Sequence, residues 1–96
     1  MNKNEILATL KEYKMEASDK YGLLRIALFG SVARGESNDN SDIDVVVEMK
    51  IPSMFDLIAI QQDLTEKFHR KVDVLRYREN MNTFLKNRIN KEAIYV

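Results

Sequence analysis

The sequence from residue 30 to residue 44 is the most informative part of the chain and reads Gly30-Ser31-Val32-Ala33-Arg34-Gly35-Glu36-Ser37-Asn38-Asp39-Asn40-Ser41-Asp42-Ile43-Asp44. The apolar run 23–29 precedes it and the run 43–47 ends it, which predicts two strands joined by a tight turn and a polar loop. Because side chains alternate along a strand, Asp42 and Asp44 point to the same face. Two such carboxylates repel each other unless a cation lies between them, and Mg²⁺ commonly binds one or two carboxylates together with substrate phosphates. The stretch therefore predicts a magnesium site.

The turn at Gly30 and Ser31 is a candidate phosphate site. Glycine lets a backbone approach a ligand closely, and the serine offers a hydroxyl and, if a short helix begins here, free N–H groups. Alone, a Gly-Ser turn carries little information, so its interpretation depends on the acids downstream. Arg34 has two open interpretations, neutralisation of a triphosphate or an ion pair with Glu36 or Asp39 that fastens the loop.

The rest of the chain predicts further helices and strands around this stretch. Apolar spacings of three and four indicate helices over about 4–20, 53–68 and 82–90, the last with Phe84, Leu85 and Ile89 inward. Alternation indicates a third strand over 71–76, and 93–96 is a candidate last strand. The first strand is expected to be central, with Leu24, Ile26 and Leu28 on one face. We expect an α/β (α+β) domain with a small mixed sheet of three to four strands backed by two or three helices.

Three side chains outside the stretch leave alternatives open. Asp73 is an acid in an apolar strand, where it needs a partner such as Lys71 or Arg25, or belongs to the carboxylate site. Phe55 and Ile60 lie off the apolar stripe of their helix, as a partner surface or as a second core contact. His69, the single histidine, is interpreted as a helix-end residue because no second histidine or thiolate completes a metal set.

Composition limits the functional classes. Lys plus Arg equals Asp plus Glu at 15 each, which argues against a protein that holds long DNA or RNA and favours association with a partner or with itself. There is no cysteine, hence no disulfide framework. No apolar run reaches the roughly 20 residues of a membrane span, and no signal peptide is recognised, so we expect a cytoplasmic location. Residues 1–96 are expected to form one domain.

These residues carry a resemblance to a known family. Gly30-Ser31, ten intervening residues and Asp42-x-Asp44 resemble the signature of the nucleotidyltransferase superfamily that includes DNA polymerase beta. With Arg34-Gly35 in the loop and Ser41 before the acids, the chain resembles the minimal nucleotidyltransferases (MNT proteins), over nearly its whole length.

The resemblance implies a fold, a reaction and a partner. It implies the nucleotidyltransferase fold, with Asp73 as the third catalytic and metal-binding carboxylate beside Asp42 and Asp44, and two Mg²⁺ ions. Gly30, Ser31 and Arg34 would then bind the nucleotide. MNT proteins are typically encoded beside HEPN-domain toxins and act as antitoxins by transferring AMP from ATP to a toxin tyrosine, so the resemblance implies a protein adenylyltransferase antitoxin.

Two alternatives stay open. The chain could be a non-catalytic antitoxin, a binding module that neutralises its partner by complex formation and keeps the acids as structural or vestigial groups. It could also keep the chemistry and use a small-molecule acceptor of the aminoglycoside type, bound between subunits.

Overall fold

The computed structural model describes residues 1–36, 38 and 40–96. Its helices and strands alternate along the chain in the order α1 (Lys3–Tyr21), β1 (Leu23–Phe29), α2 (Gly30–Arg34), β2 (Ile43–Met49), α3 (Met54–Phe68), β3 (Val72–Arg76), α4 (Thr83–Glu92) and β4 (Ile94–Tyr95). The strands form one sheet in the order β3-β2-β1-β4. β2 and β3 are parallel and the other pairs are antiparallel. The expected small mixed sheet is confirmed, and the additional helix is the short α2.

Both faces of the sheet are covered. On one face, residues of α1 and α3 such as Leu10 and Leu64 pack with Ile26 and Val45 of the central strands. On the other face, Ile89 of α4 packs with Ala27 and Val46. The first strand is therefore central, as its nearly continuous apolar sequence predicts.

A bulge in β1 corrects one prediction. Leu23 pairs with Met49 and Arg25 pairs with Glu48, so β1 has one residue more than β2 at this point. The extra residue reverses the alternation at the start of the strand. Leu23, rather than Leu24, packs with Ile26, and Leu24 is 49% exposed.

Local signals set the helix ends. Asn2 caps α1 in a capping box with Glu5, and Gly22 ends the helix in the left-handed conformation. Ser53 accepts a hydrogen bond from the Asp56 amide at the start of α3. His69 closes α3 with φ 53°, which agrees with its interpretation as a helix-end residue.

The structure decides between the two alternatives for Ile60 and corrects the prediction for Phe84. Ile60 is 0% exposed, because α3 turns its 60, 64 and 68 positions to the sheet, so Ile60 belongs to the core and to no partner surface. Met54 and Phe55, in the first turn, are 69% and 86% exposed. The prediction that Phe84 of α4 faces inward is wrong, because its side chain is 74% exposed, whereas Leu85 and Ile89 face inward as expected. Among the described residues, no helix is both long and apolar enough to cross a bilayer.

Candidate active site

Asp44 of β2 and Asp73 of β3 are direct neighbours across the parallel pair. Residues in register on adjacent strands present their side chains to the same face. That face is the one covered by α4, because the next alternate residues, Val46 and Leu75, pack in the α4 cluster. The predicted proximity of the third acid to the Asp42-x-Asp44 motif is therefore present in the structure.

Asp42 lies immediately before β2, and Lys71 lies immediately before β3. The Nζ of Lys71 is 3.5 Å from Oδ2 of Asp42 and 4.0 Å from Oδ1 of Asp73. Of the two partners considered for Asp73, Lys71 is thus the one in reach, whereas Arg25 pairs with Glu48 at 3.6 Å. The three side chains are between 44% and 68% exposed, so these ion pairs are weak and open to exchange with a solution cation.

The carboxyl group of Asp44 has a shifted pKa. Burial, followed by the negative charges of Asp73 and Asp42, raises the pKa of Asp44 above its ordinary value. The positive charges of Arg34 and Lys71 act in the opposite direction and do not cancel the effect. A carboxylate in this setting gains from a bound cation, since the cation removes the repulsion between the acids.

Gly30 lies directly against the side chain of Asp44. A β-carbon at Gly30 would overlap with Oδ2 of Asp44, and its φ of +73° is one that side chains rarely adopt. Both features restrict this position to glycine. Ser31 follows as the second residue of α2, so the predicted turn is a single helical turn that starts beside the acids.

A cavity of about 490 Å³ joins these elements. Its polar wall includes Gly30, Ser31, Asp44 and Asp73, and its apolar wall includes Leu75. A pocket of this size falls in the range of small-molecule sites, which is about 300–1,000 Å³. The structure thus brings the predicted phosphate turn and two of the three acids to one cavity. Asp42 does not line this cavity, but it shares the Lys71 ammonium with Asp73.

Two arginines also line this cavity, Arg34 and Arg88. Arg34 donates from Nε to Glu36 at 2.8 Å and is 3.6 Å from Glu92, so the ion-pair interpretation holds for Glu36, while its other candidate partner, Asp39, lies outside the described residues. Arg88 of α4 is 3.5 Å from the same Glu92. Sequence reasoning missed Arg88, because an arginine four residues before a glutamate on a polar helix looks like an ordinary surface pair.

The donor set fits magnesium, although the side chains do not form a finished cage. Within the described ranges, no three carboxylate, imidazole or thiolate groups are arranged as a metal site. The neighbours Asp44 and Asp73 nevertheless supply hard oxygen ligands, and burial together with the negative charges of Asp73 and Asp42 raises the pKa of Asp44. Mg²⁺ takes one or two carboxylates and completes its shell with water and substrate phosphates, so two converging acids suffice to begin such a site.

Comparison with known proteins adds independent information. The nucleotidyltransferase domain family matches residues 10–96. A Methanocaldococcus jannaschii protein named "Putative protein adenylyltransferase" is 36% identical over 96 residues, covering 97% of this chain and 96% of the relative. Protein adenylyltransferase MntA of Thermococcus cleftensis is 29% identical over 93 residues, covering 96% and 93%.

Solved structures agree on the fold. A structure described as a putative minimal nucleotidyltransferase superposes with a TM-score of 0.78 at 27% identity, over 98% of this chain and 95% of that one. A toxin–antitoxin crystal structure with AMP-PNP superposes with a TM-score of 0.71 at 23% identity, over 99% and 72%. The fold and the matched family define the class of the protein, which is a nucleotidyltransferase domain. More narrowly, the chain belongs to the minimal nucleotidyltransferases.

Proposed function

We propose that this protein is an antitoxin that transfers AMP from ATP to a tyrosine hydroxyl of a HEPN-type toxin. The observation that carries the proposal is the pairing of Asp44 with Asp73 across β2 and β3, on a cavity that also contains the Gly30-Ser31 corner. The relatives support the choice of reaction, since one carries the name protein adenylyltransferase. The toxin–antitoxin structure with AMP-PNP supports an adenine nucleotide as substrate and a toxin as partner, and a similar structure of an MNT antitoxin with an AMPylated HEPN toxin supports the HEPN class.

The nucleotide is assigned to the cavity with its phosphates at the start of α2. Ser31 and the backbone N–H groups of this turn would hold the beta and gamma phosphates without bulk near Gly30. Arg34 and Arg88 on the facing wall would balance the phosphate charge, exchanging part of their contact with Glu92 for it. Asp42, Asp44 and Asp73 are the proposed ligands of two Mg²⁺ ions.

The reaction forms one bond and breaks one bond. The tyrosine oxygen attacks the alpha phosphorus, the bond from that phosphorus to the oxygen bridging toward the beta phosphate breaks, and pyrophosphate leaves. Asp73 is assigned to receive the hydroxyl proton, because it lies on the outer, more exposed strand of the acidic pair. The bound magnesium ions would stabilise charge on the attacking and leaving oxygens.

The test is the intact mass of the partner. The toxin encoded by the neighbouring reading frame is incubated with ATP, Mg²⁺ and this protein, and a gain of one or more AMP units is expected. Asp44→Asn should abolish the gain while the variant still folds. A partner whose mass never changes with the wild-type protein would refute the proposed reaction.

A second candidate is neutralisation by binding alone. It is favoured by four exposed apolar side chains at the start of α3, namely Ile51, Met54, Phe55 and Ile58, which a protein partner could cover. Under this candidate, Asp44→Asn would still neutralise the toxin fully. Loss of neutralisation together with loss of the mass gain would exclude it.

A further inference from the structure

Arg70 holds the segment that leads into Asp42. Its Nη2 donates a hydrogen bond to the carbonyl oxygen of Asn38 at 3.2 Å and a second one to the carbonyl oxygen of Ser41. These acceptors lie 32 and 29 residues earlier in the chain. These hydrogen bonds therefore attach the segment before β2 to the residue that lies two positions before β3.

The acceptors belong to a turn with its own hydrogen bonds. The amide of Ser41 donates to the carbonyl of Asn38 at 3.1 Å, and the amide of Asn38 donates to Oγ of Ser41 at 3.0 Å. The guanidinium thus binds two residues, Asn38 and Ser41, that are also hydrogen-bonded to each other. Its second acceptor is the carbonyl that forms the peptide bond to Asp42, so this hydrogen bond restrains the backbone next to Asp42.

Residues next to Arg70 hold Asp42 from the other side. The amide of Ile43 donates to the carbonyl of Lys71 at 3.0 Å, and the Lys71 ammonium lies 3.5 Å from the Asp42 carboxylate. Arg70 and Lys71 together therefore fix the backbone before and after Asp42. The same two residues lead into Asp73, which couples the positions of both acids.

The chemistry of Arg70 is poorly suited to stability alone. Its Nε is buried and has no hydrogen-bond partner among residues 1–36, 38 and 40–96. An unsatisfied buried donor costs free energy that a smaller or apolar side chain would not incur. What the arginine supplies is reach, because its long side chain brings one nitrogen, Nη2, to the carbonyl oxygens of both Asn38 and Ser41.

We infer that Arg70 is a positioning residue for Asp42, and that it sets the metal affinity of the acidic site without touching the metal. The inference rests on the proposed function, because it assumes that Asp42 is a metal ligand. It concerns this chain's own geometry and is measurable without the partner or the transfer reaction.

The experiment measures Mn²⁺ binding, by electron paramagnetic resonance of free Mn²⁺, to the full-length protein and its Arg70→Gln and Arg70→Lys variants. Arg70→Gln should weaken binding about tenfold, the lower end of the roughly 10–100-fold loss that removal of an outer-shell partner typically produces. Arg70→Lys keeps the charge and a donor nitrogen on a side chain that is one bond shorter, so a smaller loss than that of Arg70→Gln is expected. The matched control is Arg78→Gln, which changes an exposed arginine just beyond β3.

Each outcome decides one point. Wild-type Mn²⁺ affinity in a folded Arg70→Gln variant would overturn the inference, as a purely structural role lowers melting temperature and leaves affinity unchanged. If Arg70→Gln does not fold, Arg70→Lys decides, and a wild-type affinity there overturns the inference. If the wild-type protein binds no Mn²⁺, or Asp44→Asn binds it equally well, the metal assignment of the proposed function fails and this inference fails with it.

Discussion

Gly30 and Asp44 lie so close together that the structure leaves no room for a β-carbon at position 30, where one would overlap with Oδ2 of Asp44. The contact joins the corner before α2 to the acidic strand β2. It explains why the glycine of the Gly-Ser corner and the second acid of the Asp-x-Asp pair are needed together. Neither residue alone distinguishes this site from an ordinary turn or strand end.

Gly30→Ala should therefore damage both the fold and the site. The left-handed φ of +73° costs an alanine about 1–2 kcal/mol, and displacement of the Asp44 carboxylate adds to this. We expect the free energy of unfolding to fall by about 2 kcal/mol or more, as measured by urea denaturation. Gly35→Ala is the matched control, since Gly35 has the same φ of +73° and a β-carbon there would meet no atom within 4 Å. Equal losses in the two variants would contradict the proposed contact.

The charge of Asp44 should make stability fall as pH rises. Its folded-state pKa lies above the ordinary value of about 3.9, so the folded protein binds more protons than the unfolded chain between these two values. Stability is then lost as pH increases from the ordinary value through the raised pKa, and the loss persists above it. Without metal, Asp44→Asn should melt at a higher temperature than the wild type at neutral pH and at the same or a lower temperature near pH 3. Asp19→Asn, at an exposed acid of α1, is the control, and a lower melting temperature for Asp44→Asn at neutral pH would contradict the expectation.

The Lys71 ammonium contacts two of the three proposed metal ligands, Asp42 and Asp73. Its ammonium lies 3.5 Å from Asp42 and 4.0 Å from Asp73, and the side chain is 68% exposed. Two exposed ion pairs contribute roughly 0.2–1 kcal/mol each, so Lys71→Met should tighten Mn²⁺ binding by about three- to tenfold. Lys91→Met, at an exposed lysine of α4, should leave the affinity unchanged. A weaker affinity for Lys71→Met would mean that the lysine aids metal binding.

Ile60 and Phe55 should differ sharply in their contribution to stability. Ile60 is 0% exposed and Phe55 is 86% exposed on the same helix. Truncation of a buried isoleucine to alanine typically costs about 2–5 kcal/mol, so Ile60→Ala should lower the free energy of unfolding by that amount. Phe55→Ala should change it by less than about 0.5 kcal/mol. The reverse order would place Phe55 in the core and Ile60 on the surface.

The sequence predicts most of the fold because its signals are local. Alternation and β-branched residues locate β1, β2 and β3, and Asn2 and Ser53 mark helix starts. The prediction that Leu24 shares a face with Ile26 is wrong because of the β-bulge near Met49, and a bulge depends on the pairing between strands. The sequence leaves Ile60 undecided between core and partner surface, because a periodicity with several apolar residues in the first turn fits more than one helix face and only packing on the sheet selects one.

The acidic residues of the site are predictable from the sequence, whereas the arginines around them, Arg70 and Arg88, are not. The spacing of two between Asp42 and Asp44 is a property of one strand, and Asp73 follows from the resemblance to nucleotidyltransferases. Arg70 and Arg88 are distant in sequence from Asp42 and Asp44. Arg70 contacts backbone carbonyls of the segment before Asp42, and Arg88 of α4 lines the cavity. Such contacts have no local sequence signal, since the acceptor atoms of Arg70 are present in every residue type.

The pairing of Asp73 with Asp44 is tested most directly by the initial rate at which the partner toxin gains AMP, followed by intact-mass spectrometry with saturating ATP and Mg²⁺. We expect Asp73→Asn to lower this rate by about a hundredfold or more, in the range for loss of a group that transfers a proton, while the variant remains folded. Glu48→Gln, which changes an acid on the same strand as Asp44 that pairs with Arg25, should keep the wild-type rate. A wild-type rate for folded Asp73→Asn would contradict the assignment of Asp73 to the reaction.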